Sequence, residues 1–212
     1  MDPETEFLGG LIELHYQEDV VEKLKQISNK VGWAKGWPEK PSAFWNGEAF
    51  LWSRKIPSEV RELIKRRVSF LKDGKNLDLG GGAYSYLPST CYDFSEKMLR
   101  LNDNCLQGIV GDLEKKLPFK EEEFDSVTAI FVLNYIKNYT PLLLEINRVL
   151  VKNGVFVMVL GSYGVNEWQK QHQTTDLSLS EWVEKIKTSH FDVRLVKSKN
   201  LSFFICKKKK SY

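Results

Sequence analysis

The residues best suited to chemistry lie in one stretch, Asn76-Leu77-Asp78-Leu79-Gly80-Gly81-Gly82-Ala83-Tyr84-Ser85. A strand-like apolar run ends in adjacent glycines, which let a backbone turn sharply and approach a ligand with no Cβ in the way. A nucleotide is the usual guest of such a loop. A dinucleotide fingerprint requires GxGxxG, but counted from Gly80 the final position is Ser85, and an acid already stands inside the strand at Asp78. The stretch speaks against a nicotinamide dinucleotide and for a ligand that carries a positive group near the loop.

Other chemistries find little support. The Cys residues (Cys91, Cys105, Cys206) and His residues (His15, His172, His190) are scattered, with no CxxC pair or HExxH helix, so neither a disulfide framework nor a metal site is expected. Free thiols, and an acidic start MDPETEF where a leader would be basic then apolar, point to a cytoplasmic protein. The longest apolar run, Val155 to Leu160, is strand-sized and far below the roughly 20 residues of a membrane span. With 212 residues, 42% apolar and 28% charged, the chain is expected to form a single globular domain. Its net charge of +3 is uneven, because residues 183–212 hold nine Lys or Arg against two acids. Such a tail would attract a phosphate-rich partner such as RNA, but terminal lysine runs more often serve only solubility.

Periodicity supplies the elements that must position the loop. Val20, Val21, Leu24, Ile27 and Val31 form one helical stripe over Asp19 to Val31. Between residues 32 and 56 the Gly and Pro residues break regular structure, and four of the six tryptophans gather there. A second stripe, Val60, Leu63, Ile64, Val68 and Leu71, runs from Pro57 to Asp73-Gly74. Then the period changes. Asn76 to Leu79, Cys91 to Phe94, Phe124 to Leu133 and Val155 to Leu160 read as strands, alternating with helices capped at Ser95, at Thr140-Pro141 and at the Ser178/Glu181 box. Phe191 to Val196 and Leu201 to Cys206 are close enough to pair as an antiparallel hairpin. Alternation of this kind gives a mostly parallel sheet covered on both faces, whose ligands bind outside the carboxyl ends of its strands.

From the glycine loop onward the chain resembles the class I, Rossmann-like S-adenosylmethionine-dependent methyltransferases of the type 11-like branch. Asp78, Gly80 and Gly82 match the first motif, and Cys91-Tyr92-Asp93-Phe94 looks like the second strand with its terminal acid. Gly111-Asp112-Leu113 looks like the third junction, Phe124 to Ile136 like strand four and its exit, and Glu145 to Gly154 like the helix and turn before strand five. The resemblance implies an α/β fold: a seven-stranded mostly parallel sheet with helices on both faces, an antiparallel C-terminal hairpin and an N-terminal helical cap. It implies residues 1–56 as a helix with an aromatic-rich cap or lid, and residues 57–212 as the methyltransferase core. S-adenosyl-L-methionine would be held by Asp78, Gly80, Gly81, Gly82, Tyr84, Asp93, Phe94, Asp112, Leu113 and Phe131. In that arrangement Asp78 serves the methionine end, Asp93 the ribose hydroxyls and Asp112 the adenine edge, with Phe94 or Leu113 against the base. The chain departs from the family at Tyr84, which replaces the third glycine, and in a first crossover too short for a long helix, with Pro88 inside it.

Methyl transfer is a direct displacement governed by positioning, so no nucleophile motif is required. The substrate-proximal candidates are Asn134 and Tyr135 at the strand-four exit, and Tyr163 with Trp168 after strand five; His172 lies in a polar stretch that reads as solvated. The aromatics of residues 32–56 would either close over the site as a lid or cover the sheet face left bare by the short crossover. A small-molecule acceptor is expected; a tRNA or ribosomal RNA substrate, or an inactive partner or scaffold subunit, are the alternatives.

Overall fold

The computed structural model describes residues 2–14, 18–49, 51, 56–161 and 175–209. Its centre is a seven-stranded sheet of β1 (Asn76–Leu79), β2 (Ser89–Asp93), β3 (Cys105–Val110), β4 (Phe124–Ile130), β5 (Leu150–Gly161), β6 (Phe191–Ser198) and β7 (Leu201–Lys208). The order is β3-β2-β1-β4-β5-β7-β6, parallel through β5 and antiparallel where β7 inserts between β5 and β6. The α/β class, the mostly parallel sheet and the C-terminal hairpin are as expected. Strand order reverses at β1, whose neighbours β2 and β4 leave in opposite directions. A crevice opens at such a switch point, at the carboxyl ends.

Burial on both faces marks β1 and β4 as central strands, with Asn76, Asp78, Ser126 and Thr128 buried alongside the apolar residues. One face packs on α6 (Tyr139–Val149) and α7 (Leu179–Thr188) through Leu142, Leu143, Ile146, Trp182 and Ile186. The Ser178/Glu181 box caps α7 in both directions. Helix α6 starts two residues earlier than Thr140-Pro141 suggests, with Asn138 at the cap and Pro141 in the first turn, where the missing N–H costs nothing. The other face carries α4 (Ser58–Val68), whose Val60, Leu63, Ile64 and Val68 meet Tyr86, Leu87, Ile130, Val157, Val159 and Phe203.

No helix joins β1 to β2, in keeping with the short crossover. A buried polar knot replaces it. The Asn102 amide donates to the Gly82 carbonyl at 3.1 Å and to Ser85 Oγ at 2.8 Å, while its oxygen accepts from the Ser85 N–H at 3.0 Å. The Asn104 amide takes the Ser85 carbonyl at 2.6 Å. The sheet face that a crossover helix would cover is filled, among the described residues, by α4, by Tyr86 and Leu87 of the crossover itself and by Ile56.

The N-terminal region needs correction. Helix α2 (Glu18–Ser28) matches the predicted stripe but ends earlier, and α1 (Pro3–Glu13) precedes it, capped by Asp2 on the N–H groups of Glu4 and Thr5. Gly9-Gly10 hides α1 in the sequence, yet a Cβ at Gly10 would come within 2.5 Å of Leu24 Cδ2, so glycine permits the close α1–α2 crossing. Residues 32–56 are not without regular structure, because Pro41 starts α3 (Pro41–Glu48) from the first-turn position proline tolerates best. The three helices and Trp37 enclose a core of their own around Phe7, Leu11, Leu24 and Phe44. Strand β4 ends at Ile130, short of the expected Leu133, because the chain enters a 3-10 turn at Leu133–Tyr135. The remaining helix, α5 (Glu96–Arg100), is capped by Ser95 as expected.

Asn102 is 6% exposed and occupies every donor and acceptor direction around the crossover. Asn102→Ala strands the Gly82 carbonyl and the Ser85 N–H without partners, and should cost about 2 to 4 kcal/mol. Urea unfolding of the variant measures this; a loss below about 0.5 kcal/mol would show that the knot does not hold the loop.

Candidate active site

The glycine loop leaves β1 at its carboxyl end with Gly80 at φ +62° and Gly82 at φ +59°, both in the left-handed region that glycine enters without strain. A side chain at Gly80 would strike Val132 Cγ2 at 2.3 Å, so β4's exit and Leu113 close tightly on the loop. Asp78 lies beneath it. Its carboxylate accepts from Ser85 Oγ and Thr128 Oγ1, each at 2.6 Å, and is 2% exposed. The structure thus places Asp78 as a brace under the loop, with both oxygens engaged. Burial pushes its carboxyl up to about 6 against the pull of the two hydroxyls.

Asp93 ends β2 and faces the same loop. One oxygen accepts from the Gly82 N–H at 3.1 Å and the other from the Ser95 N–H at 2.8 Å, which leaves lone pairs on a carboxylate only 7% exposed. Burial likewise pushes Asp93 up to about 6. Leu113 is buried, with Cδ1 3.4 Å from where a Gly80 side chain would begin, and Phe94 is half-buried beside Asp93 in sequence. Asp112 is exposed at the end of β3, where it caps the Glu114 N–H at 2.9 Å and its carbonyl accepts from the Tyr92 hydroxyl at 3.3 Å.

The two remaining aromatic candidates lie on the α4 side. Tyr84 packs edge-on against Tyr86 at 5.1 Å, under the Arg61 guanidinium at 4.8 Å. Phe131 adopts φ +60°, rare for a bulky residue, and packs with the α4 face while the next residue, Val132, packs with the opposite core. That backbone reversal splits the β4 exit into two walls. Backbone strain of this kind is found where a site needs it.

Asn134 and Tyr135 form the 3-10 turn beyond this point. The Asn134 side-chain oxygen is buried and has no hydrogen-bond partner among the described residues, while its backbone carbonyl accepts from Thr175 N–H at 3.2 Å. Trp45 of α3 meets Tyr135 edge-on at 5.0 Å. Tyr163, Trp168 and His172 lie outside the described residues. The N-terminal unit also touches the β2 end: Ser95 Oγ donates to Asn46 Oδ1 at 2.6 Å, and Lys97 Nζ lies 3.3 Å from Glu4 and 4.0 Å over Trp33. It therefore contacts the segments that follow both strands flanking β1. Sequence reasoning missed Thr128, Asn102 and Asn46, each a lone polar residue whose partner is distant in the chain, and did not see that Ser85 of the motif stretch holds Asp78. Among the described residues no group of His, Cys, Asp and Glu could hold a metal ion.

A carboxyl raised by burial binds its proton more tightly in the folded chain than in the unfolded one. Asp78 therefore contributes stability that is full below its ordinary pKa near 3.8 and fades as pH rises through about 6. Relative to wild type, Asp78→Asn should recover up to about 3 kcal/mol between pH 4 and pH 7. Denaturant unfolding at both pH values tests the sign; a penalty that grows with pH would contradict it.

Residues 77–158 match a family model described as a methyltransferase domain. Similar curated proteins are named demethylmenaquinone methyltransferase. That of Staphylococcus carnosus is 42% identical over 71 residues, which is 31% of this chain and 29% of that protein. That of Leptospira interrogans is 35% identical over 88 residues, 37% and 35% of the two chains. The matched part of the chain thus spans about a third of these relatives. Among solved structures, a chain from the Haloferax volcanii complex of the Trm112 methyltransferase activator with a methyltransferase superposes with TM-score 0.63 at 15% identity, covering 79% of this chain and 96% of that one. A Haemonchus contortus phosphoethanolamine N-methyltransferase in complex with S-adenosyl-L-methionine gives TM-score 0.64 at 16% identity, covering 80% and 59%. Domain match and fold agree: residues 77–158 match a methyltransferase domain, and the chain shares the α/β fold of these solved structures.

Proposed function

We propose that this chain binds S-adenosyl-L-methionine at the carboxyl ends of β1, β2 and β4 and transfers its methyl group to a small-molecule acceptor. The observation that carries the reading is the pairing of Asp93 with the Gly80–Gly82 loop at the sheet's switch point. The residues present suit that ligand. Two left-handed glycines give a loop whose backbone can be approached closely, and Asp93 keeps acceptor capacity for vicinal hydroxyls. Leu113 and Phe94 offer apolar surface for a base, and Asp112 a polar group at its edge. Asp78 acts through the loop it braces, and Tyr84 and Phe131 form the wall toward α4.

Bound there, the sulfonium would supply an electrophilic methyl group. The chain's part is to align an acceptor and exclude water. The unpaired Asn134 oxygen would accept an N–H or O–H from the acceptor, and the Trp45–Tyr135 pair supplies an aromatic wall, which favours a planar ring. In this reading residues 1–56 are the lid and residues 57–212 the core. The names of the curated relatives also favour a small molecule over nucleic acid. Within the basic tail, Lys208 donates to the Leu150 carbonyl and Lys209 lies 3.9 Å from Asp192. No helix among the described residues is long and apolar enough to cross a membrane, and the free cysteines accord with a cytoplasmic site of action.

Asp93→Ala should weaken S-adenosylhomocysteine binding by roughly 1 to 3 kcal/mol while the domain stays folded. Because binding uses the ionised carboxylate and burial raises it to about 6, wild-type affinity should fall as pH drops from 7.5 to 5.5. Calorimetry reads both. Equal affinity for a folded variant would remove Asp93 from the site, and no binding by the wild type at any pH would remove the methyltransferase reading.

A further inference from the structure

We infer that Asn46 is a positioning residue through which the N-terminal unit fixes the ribose-binding carboxylate, so that closure of this unit and occupancy of the ribose site favour one another. The inference rests on the cofactor reading above and adds a residue far from the methyltransferase motifs. Asn46 belongs to α3, yet its side-chain oxygen accepts the hydroxyl of Ser95 at 2.6 Å. Ser95 is fully buried, and its backbone N–H donates to Asp93 Oδ1 at 2.8 Å. The same hydroxyl accepts the Met98 N–H at 3.2 Å as the cap of α5. A hydroxyl has one proton to give, and here it is committed to the N-terminal unit. On its far side the Asn46 amide donates to the Trp33 carbonyl at 3.4 Å.

The chain of contacts is therefore continuous: Trp33, Asn46, Ser95, Asp93, and across Asp93 the Gly82 N–H. Anything that pulls Asp93 toward a ligand oxygen acts on the Ser95 backbone, and the Ser95 hydroxyl transmits that to α3. The unit's other contacts bear on it from two sides, with Glu4 and Trp33 on Lys97 of α5 and Trp45 on Tyr135 at the β4 exit. Since coupling between sites is reciprocal, a ligand that engages Asp93 must stabilise the docked unit to the degree that the docked unit tightens the ligand.

The test compares S-adenosylhomocysteine with its 2′-deoxy analogue, which lacks one ribose hydroxyl. In wild type the parent compound should bind more tightly than the analogue, and should slow amide exchange in residues 3–48 as well as in residues 78–95. Asn46→Ala should weaken the parent roughly three- to tenfold, the range expected for one hydrogen bond, and weaken the analogue, which keeps its 3′ hydroxyl, by distinctly less. It should also abolish the slowing in residues 3–48 while that in residues 78–95 remains. Asn46→Asp keeps an acceptor oxygen for Ser95 and should restore most of the discrimination. A merely structural role would weaken both compounds alike, and that result, in a variant whose thermal unfolding is unchanged, overturns the inference. If Asn46→Ala does not fold, Asn46→Asp decides: discrimination and slowing like wild type support the coupling, and loss of both without loss of parent-compound binding overturns it. A wild type that binds neither compound overturns the cofactor reading and this inference together, whereas wild-type binding with an indifferent Asn46 overturns the inference alone.

Discussion

A chain that leaves β1 at Leu79 and must enter the sheet again one strand over at Ser89 cannot fit the helix that usually makes a parallel crossover. Most of the site follows from that shortage. Without a helix, the backbone groups of residues 80–88 lack their habitual partners, and buried peptide groups must find others. They find side chains: Asn102 and Asn104 from the β2–β3 connection, and Asp93 from β2, while Asp78 of β1 holds the Ser85 hydroxyl. The carboxylate that ends β2 is therefore tied into the glycine loop before any ligand arrives. The shortage also strips a sheet face, which α4 covers together with Tyr86 and Leu87, so that the loop supplies its own packing.

The N-terminal helices follow a different logic. Their apolar side chains turn toward one another around Phe7 and Trp37, and polar and edge-on aromatic contacts join them to the sheet domain. Surface ion pairs such as Lys97–Glu4 contribute little. The directional hydrogen bond at Asn46 and the Trp45–Tyr135 contact define where the unit docks, at the segments that follow the two strands beside β1.

What could be read from sequence was whatever is local and repeated. β1 was legible because a short strand-like segment ends in three glycines, α7 because Ser178 and Glu181 hold capping-box spacing, and the hairpin because two strand-like runs lie a short turn apart. α1 was not, since Gly9-Gly10 reads as a break where it serves a close helix crossing, and α3 was obscured by the same Gly and Pro punctuation that begins it. β3 gave no periodic signal because it is an edge with Leu106 76% and Val110 57% exposed. In the site, Asp93 and the glycines were legible by motif. Thr128, Asn102 and Asn46 were not, because a polar residue whose partner is far along the chain leaves no mark on its neighbours' spacing. Asp78 was legible as an acid in the right place, but its engagement by two hydroxyls from beneath the loop was not.

The burial of two thiols gives the chain an internal record of where it opens. Cys91 lies under the crossover with its sulfur 3.3 Å from Ser85 Oγ, and Cys206 lies in β7 between β5 and β6; both are fully buried, and burial raises both thiols far above the ordinary range. Neither reacts while its surroundings stay closed, because an alkylating reagent needs a thiolate it can reach. Labelling at Cys91 therefore times the fraying of the loop around the site, and labelling at Cys206 times the parting of the hairpin. The half-buried Cys105 gives the unprotected comparison within the same molecule.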